Sequence, residues 1–301
     1  MDSHFGEFAA LLTTLFWTIT ALSFEVVGKR IGSLNLNLLR LSVATVLLGV
    51  FSYFYRGLFL PVDATLHNWL WLILSGLIGF VIGDFLLFQA YIVIGARVSM
   101  LLMTLAPPAA ALAGWLILGE SMSLKSLLGM MVTIAGISLV IFNRTPGTSK
   151  SSKSARLAHP LKGILYALGA AIGQGVGLVL SKLGMESYDP FAASQIRVMA
   201  GVVGFALVFT VAGRWRALPA AVKDSKSMKW LIVGSFFGPF LGVSFSLMAV
   251  QNTNAGIAQT IMSLVPVLII PPSLIIYKEK LRARELAGAL IAVAGVSLFF
   301  L

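Results

Sequence analysis

The sequence has no cysteine, only three histidines (His4, His67 and His159), and just 11% charged residues in 301. Without cysteine there can be no disulfide, no thiolate nucleophile and no cysteine-ligated metal. The histidines fall near predicted helix ends or loops, so a metal cluster or a Ser-His mechanism has almost nothing to work with. HExxH, GxSxG and Walker-type patterns are absent, which argues against an enzyme and against an ATP-driven pump within this chain. No cofactor is expected. The scarcity of charge goes with 58% hydrophobic residues and a mean hydropathy of +0.95. A soluble domain cannot hide that much apolar surface, so lipid must be the solvent for most of the chain. An all-α membrane protein is expected. The net charge of +11 does not point to nucleic acid, because the basic residues sit in short loops between apolar runs, where they act as a topology signal.

What is present is a duplication. Residues 71–142 lie on residues 230–301 at a constant offset of 159 without a gap, and about eighteen of the 72 pairs are identical. Trp71-Leu72-Ile73 matches Trp230-Leu231-Ile232, Gly79 and Gly83 match Gly238 and Gly242, and Pro107 matches Pro266. Glu120, Gly129 and Gly136 match Glu279, Gly288 and Gly295. Internal repeats of this kind recur among secondary transporters.

Crossing the hydrocarbon takes about 20 apolar residues, which predicts about ten spans: 7–28, 36–55, 69–91, 97–118, 124–142, 162–183, 190–212, 229–250, 256–277 and 284–301. Residues 1–142 then form a first five-helix repeat and 162–301 a second. The polar Ser- and Lys-rich segment 143–161 is a flexible linker between them. An odd number of helices per half inverts the second half. The positive charges agree: 18 of the 22 Lys and Arg, from Lys29, Arg30 and Arg40 to Arg284, fall on one face and only Arg56, Lys125, Lys182 and Arg197 on the other. The first face is expected to be cytoplasmic, with both termini periplasmic and the linker inside. The N-terminus lacks the basic region of a signal peptide, so its first apolar run is expected to stay as a helix. The last apolar run reaches Leu301, so a native polar tail beyond it is also expected.

Several residues stand out against the apolar background. Gly79/Gly83, Gly169/Gly173/Gly177 and Gly234/Gly238/Gly242 have the four-residue spacing of close helix contacts, either within the chain or at a dimer or sliding face. Pro107-Pro108, Pro266 and Pro271-Pro272 fall within predicted spans, and the paired Pro107 and Pro266 suit kinks that gate a path or simply bend the helix. Asp84 is the one acid well inside a predicted span: either a proton- or cation-coupling group or a structural acid, with Arg97 or Lys182 as partner. Glu25 and Lys29, four residues apart, suit a helix-end pair. Polar groups near mid-membrane include Thr18, Thr20, Gln89, Gln174, Ser244, Ser246 and Gln259. They are accompanied by Phe16, Trp17, Phe24, Phe85, Phe88, Tyr91, Met100, Met103, Met248 and Met262. A few polar groups in an adaptable apolar wall suit a small amphiphilic ligand.

A proline in helices 4 and 9, then a helix-ending Gly-Glu or Lys-Glu, then a glycine-bearing last helix resembles the EamA-type members of the drug/metabolite transporter superfamily. Here these are Pro107, Gly119-Glu120, Gly129 and Gly136, then Pro266, Lys278-Glu279, Gly288 and Gly295. Trp17 stands where the family often has Trp-Gly, with Thr18 in place of the glycine. Within that family the chain is similar to YddG-type exporters of aromatic and other amino acids. The resemblance implies a central cavity between the halves and alternating access. It makes the expected function export of amino acids and small metabolites across the bacterial inner membrane. Substrate is expected against Trp17, Thr20, Phe85, Gln89, Met103, Gln174, Ser244 and Gln259, with Asp84 as coupling candidate and Pro107 and Pro266 as gates. The partners are the small-molecule substrate and the lipid bilayer, with a monomer admissible. A sugar-phosphate, nucleotide-sugar or cationic-drug carrier is the alternative within the class, with Lys182 and Arg197 as candidate phosphate ligands. A non-transporting sensor or assembly subunit is the alternative outside it.

Overall fold

The computed structural model describes residues 4–143, 160–268, 272 and 283–299, and every regular element among them is helical. The elements are α1 (Phe5–Ile31), α2 (Ser33–Arg56), α3 (Leu66–Gly76), a π-helical stretch Leu77–Asp84, α4 (Phe85–Met103), α5 (Ala106–Leu118) and α6 (Leu124–Asn143). There follow α7 (Leu161–Met185), α8 (Pro190–Val211), the short α9 (Leu218–Lys223), α10 (Ser225–Ser235), a second π-helical stretch Phe236–Gly242, α11 (Val243–Asn252), α12 (Ala255–Met262), α13 (Val265–Leu268) and α14 (Ala283–Ser297). Six helices are long and apolar enough to cross a membrane among the described residues, and four shorter apolar ones accompany them. The chain is a multi-pass membrane protein.

Helix boundaries follow local chemistry. Thr65 and Asn68 form a reciprocal capping box at the start of α3. Asp189 accepts from the Ala192 amide 2.9 Å away, with Pro190 opening α8; a cap of this kind contributes about 1 kcal/mol. Gly57 and Gly119 end α2 and α5 at φ 75° and 68°, where a side chain would be strained.

Two sequence expectations need correction. The expected break at 92–96 is helical, and the chain turns instead at Thr104-Leu105. Pro107 and Pro108 therefore do not bend a helix from within. They sit in the first turn of α5, where the missing N–H costs nothing. Pro266 has the same place in α13, after a turn at Ser263-Leu264 that lies 159 residues further on. The linker residues 144–159, Pro271, and the segment holding Lys278, Glu279, Lys280 and Arg282 lie outside the described residues. So do the side chains of Glu25, Lys29, Phe88, Tyr91, Arg97, Met100 and Arg284.

The helices pack across the halves, and neighbours run antiparallel. Along α1, Phe24, Thr20 and Trp17 meet Gly234, Gly238 and Gly242 in turn. Along α7, Gly184, Gly177 and Gly173 meet Trp71, Gly79 and Gly83. The glycine faces thus serve contacts within the chain: a methyl group at Gly177 would lie 3.0 Å from the Gly79 Cα. The same reversal holds between α2 and α8, where Leu41 meets Gly201 and the Phe51 and Phe191 rings lie 4.5 Å apart. It also holds between α6 and α14, where Gly129 faces Gly295 and Gly136 faces Gly288.

The two π-helical stretches occupy matching places, offset by 159 residues. Each adds width where the first helix of the other half crosses it. Pro239 lies inside the second, and it cannot donate the N–H that an α-helix needs there.

Candidate functional site

Where these crossings meet, a cavity of about 270 Å³ lies between the halves. That is close to the lower end of small-molecule sites, roughly 300–1,000 Å³. Its wall is built from matched positions. Phe80 and Pro239, Asp84 and Val243, Met103 and Met262, Thr104 and Ser263, and Ala106 and Val265 all line it, each pair 159 residues apart. Trp17 and Gln174 also line it, and they hold the same place in α1 and α7, each against the last glycine of a π-helical stretch, Gly242 or Gly83.

Of the residues expected at the substrate site, the coupling position or the gates, Trp17, Thr20, Asp84, Met103, Gln174, Gln259 and Pro266 line this cavity. Phe85 is 37% exposed and does not line the cavity. Gln89 does not line the cavity. Ser244 is buried, its hydroxyl donating to the Phe240 carbonyl at 2.6 Å, one turn back. Pro107 is buried beside the wall without lining it. Thr18 and Ser246 likewise spend their hydroxyls on their own helices.

The polar heart of the cavity is Asp84, in the last residue of the first π-helical stretch. Its Oδ2 pairs with Arg40 Nη2, and its Oδ1 accepts from Gln174 Nε2 at 2.9 Å. Arg40 also donates to Asn37 at 2.8 Å, and its guanidinium lies 5.6 Å from the centre of the Phe24 ring. Of the two expected partners, only Lys182 can be placed. Lys182 pairs instead with Glu120 at 2.5 Å, and the Arg97 side chain lies outside the described residues. Arg40 follows the short turn at Gly32 and in sequence reads as a loop charge, yet it is the eighth residue of α2 and faces inward. The repeat carries a second signal. Arg197 is the eighth residue of α8, the repeat counterpart of α2. Arg197 is 5% exposed, lies 5.0 Å from the Phe80 ring centre and is within electrostatic range of Asp84.

A web of polar contacts ties the helix ends on one side of this cavity. Lys182 joins Glu120 to the Thr253 carbonyl at 2.7 Å, and Glu120 Oε2 accepts from the Ala255 amide at 2.9 Å. Thr253 donates to Glu7, Asn254 to the Ser121 carbonyl, and Gln251 to the Glu186 and Tyr188 carbonyls. Tyr188 donates to Asp63 at 2.8 Å, and burial pushes its hydroxyl pKa up to about 12. At the other end the described residues show mainly the Arg30–Asp224 pair at 2.8 Å. Hydrogen bonding to Arg30, and then to Ser227, holds the half-buried Asp224 carboxyl well below the usual carboxylate range.

Comparison with known proteins agrees with this architecture. The EamA-like transporter family matches residues 4–142 and again residues 161–301. The chain is similar to the uncharacterized inner membrane transporter YhbE of Escherichia coli K12, 31% identical over 143 residues, covering 46% of this chain and 42% of that protein. It is similar to the uncharacterized transporter YetK of Bacillus subtilis, 34% identical over 136 residues, covering 44% of this chain and 40% of that protein. These matches thus span less than half the length of those relatives. An uncharacterized transporter of Clostridium kluyveri is 23% identical over 184 residues, covering 60% of this chain and 56% of that protein. A solved crystal structure superposes with a TM-score of 0.75 over 97% of this chain and 95% of that chain, at 16% identity, which shows a shared fold. These relatives' names say transporter, in one case inner membrane transporter, and give no substrate, so they do not carry the narrower likeness to YddG-type amino-acid exporters.

Proposed function

We propose that this chain, which belongs to the EamA-like transporter family, exports amino acids and related small metabolites through an alternating-access cycle. In this reading it crosses the inner membrane ten times, as two inverted five-helix halves. Six long and four shorter apolar helices supply the crossings. The antiparallel contacts between repeat counterparts fit the inversion, and the 18-to-4 bias of basic residues supports a cytoplasmic linker with both termini outside. The web around Lys182, Glu120 and Thr253 then closes the periplasmic end, and the cavity faces the cytoplasm.

The observation that carries the reading is the matched lining. A cavity walled by equivalent residues of both halves keeps its wall when the halves rock, so the same groups can face either side. Trp17, Thr20, Met103, Gln174 and Gln259 form the substrate wall, Asp84 is the coupling residue, and the helix breaks before Pro107 and Pro266 are the moving joints.

The test is flux in proteoliposomes with a labelled panel of aromatic, aliphatic and charged amino acids, a nucleotide sugar and a cationic drug. Saturable amino-acid flux that empty liposomes lack is expected. Flux confined to the nucleotide sugar would favour the second reading, a carrier for phosphorylated solutes, which the cavity-lining Arg40 and the buried Arg197 bring into view. Binding without any flux would move the protein to the sensor class.

A further inference from the structure

The charges around the cavity do not balance. Among the described side chains, Arg40 enters from α2 and Arg197 from α8, yet Asp84 is the one acid between them. Val243 stands at the repeat position of Asp84, so the second half brings an arginine without an acid. Asp84 spends Oδ2 on Arg40 and Oδ1 on Gln174. Arg197 is left with no carboxylate in salt-bridge range among the described residues, and its buried Nε has no hydrogen-bond partner. Its guanidinium rests on Phe80, which lines the cavity on that side. An unpaired buried cation is costly, and a single added anion relieves it.

We propose that the cavity takes a ligand bearing one carboxylate, and that this carboxylate claims Arg40 and releases Asp84 to pair with Arg197. This rests on the transport reading and names its substrate class. Among the described side chains the empty site has two guanidinium groups and one carboxylate, and a bound carboxylate gives each guanidinium its own partner; the ammonium of an amino acid must then lie away from both arginines. The exchange also couples binding to motion. Arg40 and Arg197 occupy equivalent places in opposite halves, so transferring Asp84 from one to the other trades a contact within the first half for a contact between the halves. A cation offers no such exchange, because it would add to the surplus.

The experiment measures binding of three probes that share one aromatic end, by titration calorimetry on the purified full chain in nanodiscs at pH 7. The probes are phenylalanine, 3-phenylpropionate and phenethylamine. Wild type is expected to bind both carboxylates at least about tenfold more tightly than the amine. Arg40→Gln should erase that preference. Arg197→Gln should weaken both carboxylates by about fivefold or more, although Arg197 does not line the cavity. Asp84→Asn, nearly isosteric and so the safest to fold, should tighten carboxylate binding while slowing flux, because the competing acid and the exchange partner are both lost. A carboxylate preference unchanged in all three folded variants, or weakened carboxylate binding in Asp84→Asn, overturns the proposal. Phenylalanine flux combined with that outcome leaves the transport reading standing. A folded wild type that neither binds nor moves any of the three probes overturns both.

Discussion

Leucine in place of Gly177 is expected to destabilise the protein by about 1–3 kcal/mol, the usual cost of overpacking. At Gly177 the contact is backbone to backbone: a methyl group would lie 3.0 Å from the Gly79 Cα and 3.1 Å from its N, and neither atom can rotate away. A leucine must push α7 off the first π-helical stretch. That shift would also disturb the 2.5 Å bond from the Ser75 hydroxyl to the Gly177 carbonyl. Thermal unfolding in detergent should show a melting temperature lower by several degrees. Val211→Leu, at a site 90% exposed, should show almost none. Equal melting curves for the two variants would mean that α7 and the π-helical stretch are not in backbone contact.

Gln174→Ala is expected to cut the initial rate of transport by about tenfold or more. The amide donates to the Asp84 carboxyl at 2.9 Å, beside its pairing with Arg40, and a hydrogen bond within such a charged pair is worth about 1.5–3 kcal/mol. Its loss leaves Asp84 held by Arg40 alone, so the wall is altered at its one acidic group. Trp17→Ala should act on the facing wall, where the indole packs on Gly242. Phe85→Ala, one residue from Asp84 but not lining the cavity, should transport at nearly the wild-type rate. Rates measured on variants with matched melting curves separate these cases. A Phe85→Ala defect with an unaffected Gln174→Ala would move the substrate away from this cavity.

The membrane architecture was legible because its causes are local or periodic. Apolar runs of span length, the 159-residue offset and the charge bias each record a physical demand that every segment meets independently. The cavity wall was half legible. Trp17, Thr20, Met103, Gln174 and Gln259 are polar or adaptable residues in apolar runs, which is a signal in itself. Phe85 and Gln89 look alike in sequence but fall at angles away from the cavity, and the wide π-helical turns just before them change which positions share a face. Ser244 reads as a site residue in sequence, but its hydroxyl satisfies itself on its own helix. Arg40 was hidden by its neighbours. A cation eight residues into a helix that follows a basic loop looks like one more loop charge until Asp84, 44 residues away, is placed beside it.

The central claim is that one cavity between the two halves is reached alternately from the two sides of the membrane. The absence of cysteine makes a direct test possible. Single Met103→Cys and Met262→Cys variants, at matched positions in the cavity wall, would be exposed to a membrane-impermeant thiol reagent from one side of sealed, oriented vesicles at a time. The predicted result is that both cysteines react from the cytoplasmic side without substrate, and that a transported amino acid shifts both toward reaction from the periplasmic side. Reaction from one side only, unchanged by any transported solute, would contradict it.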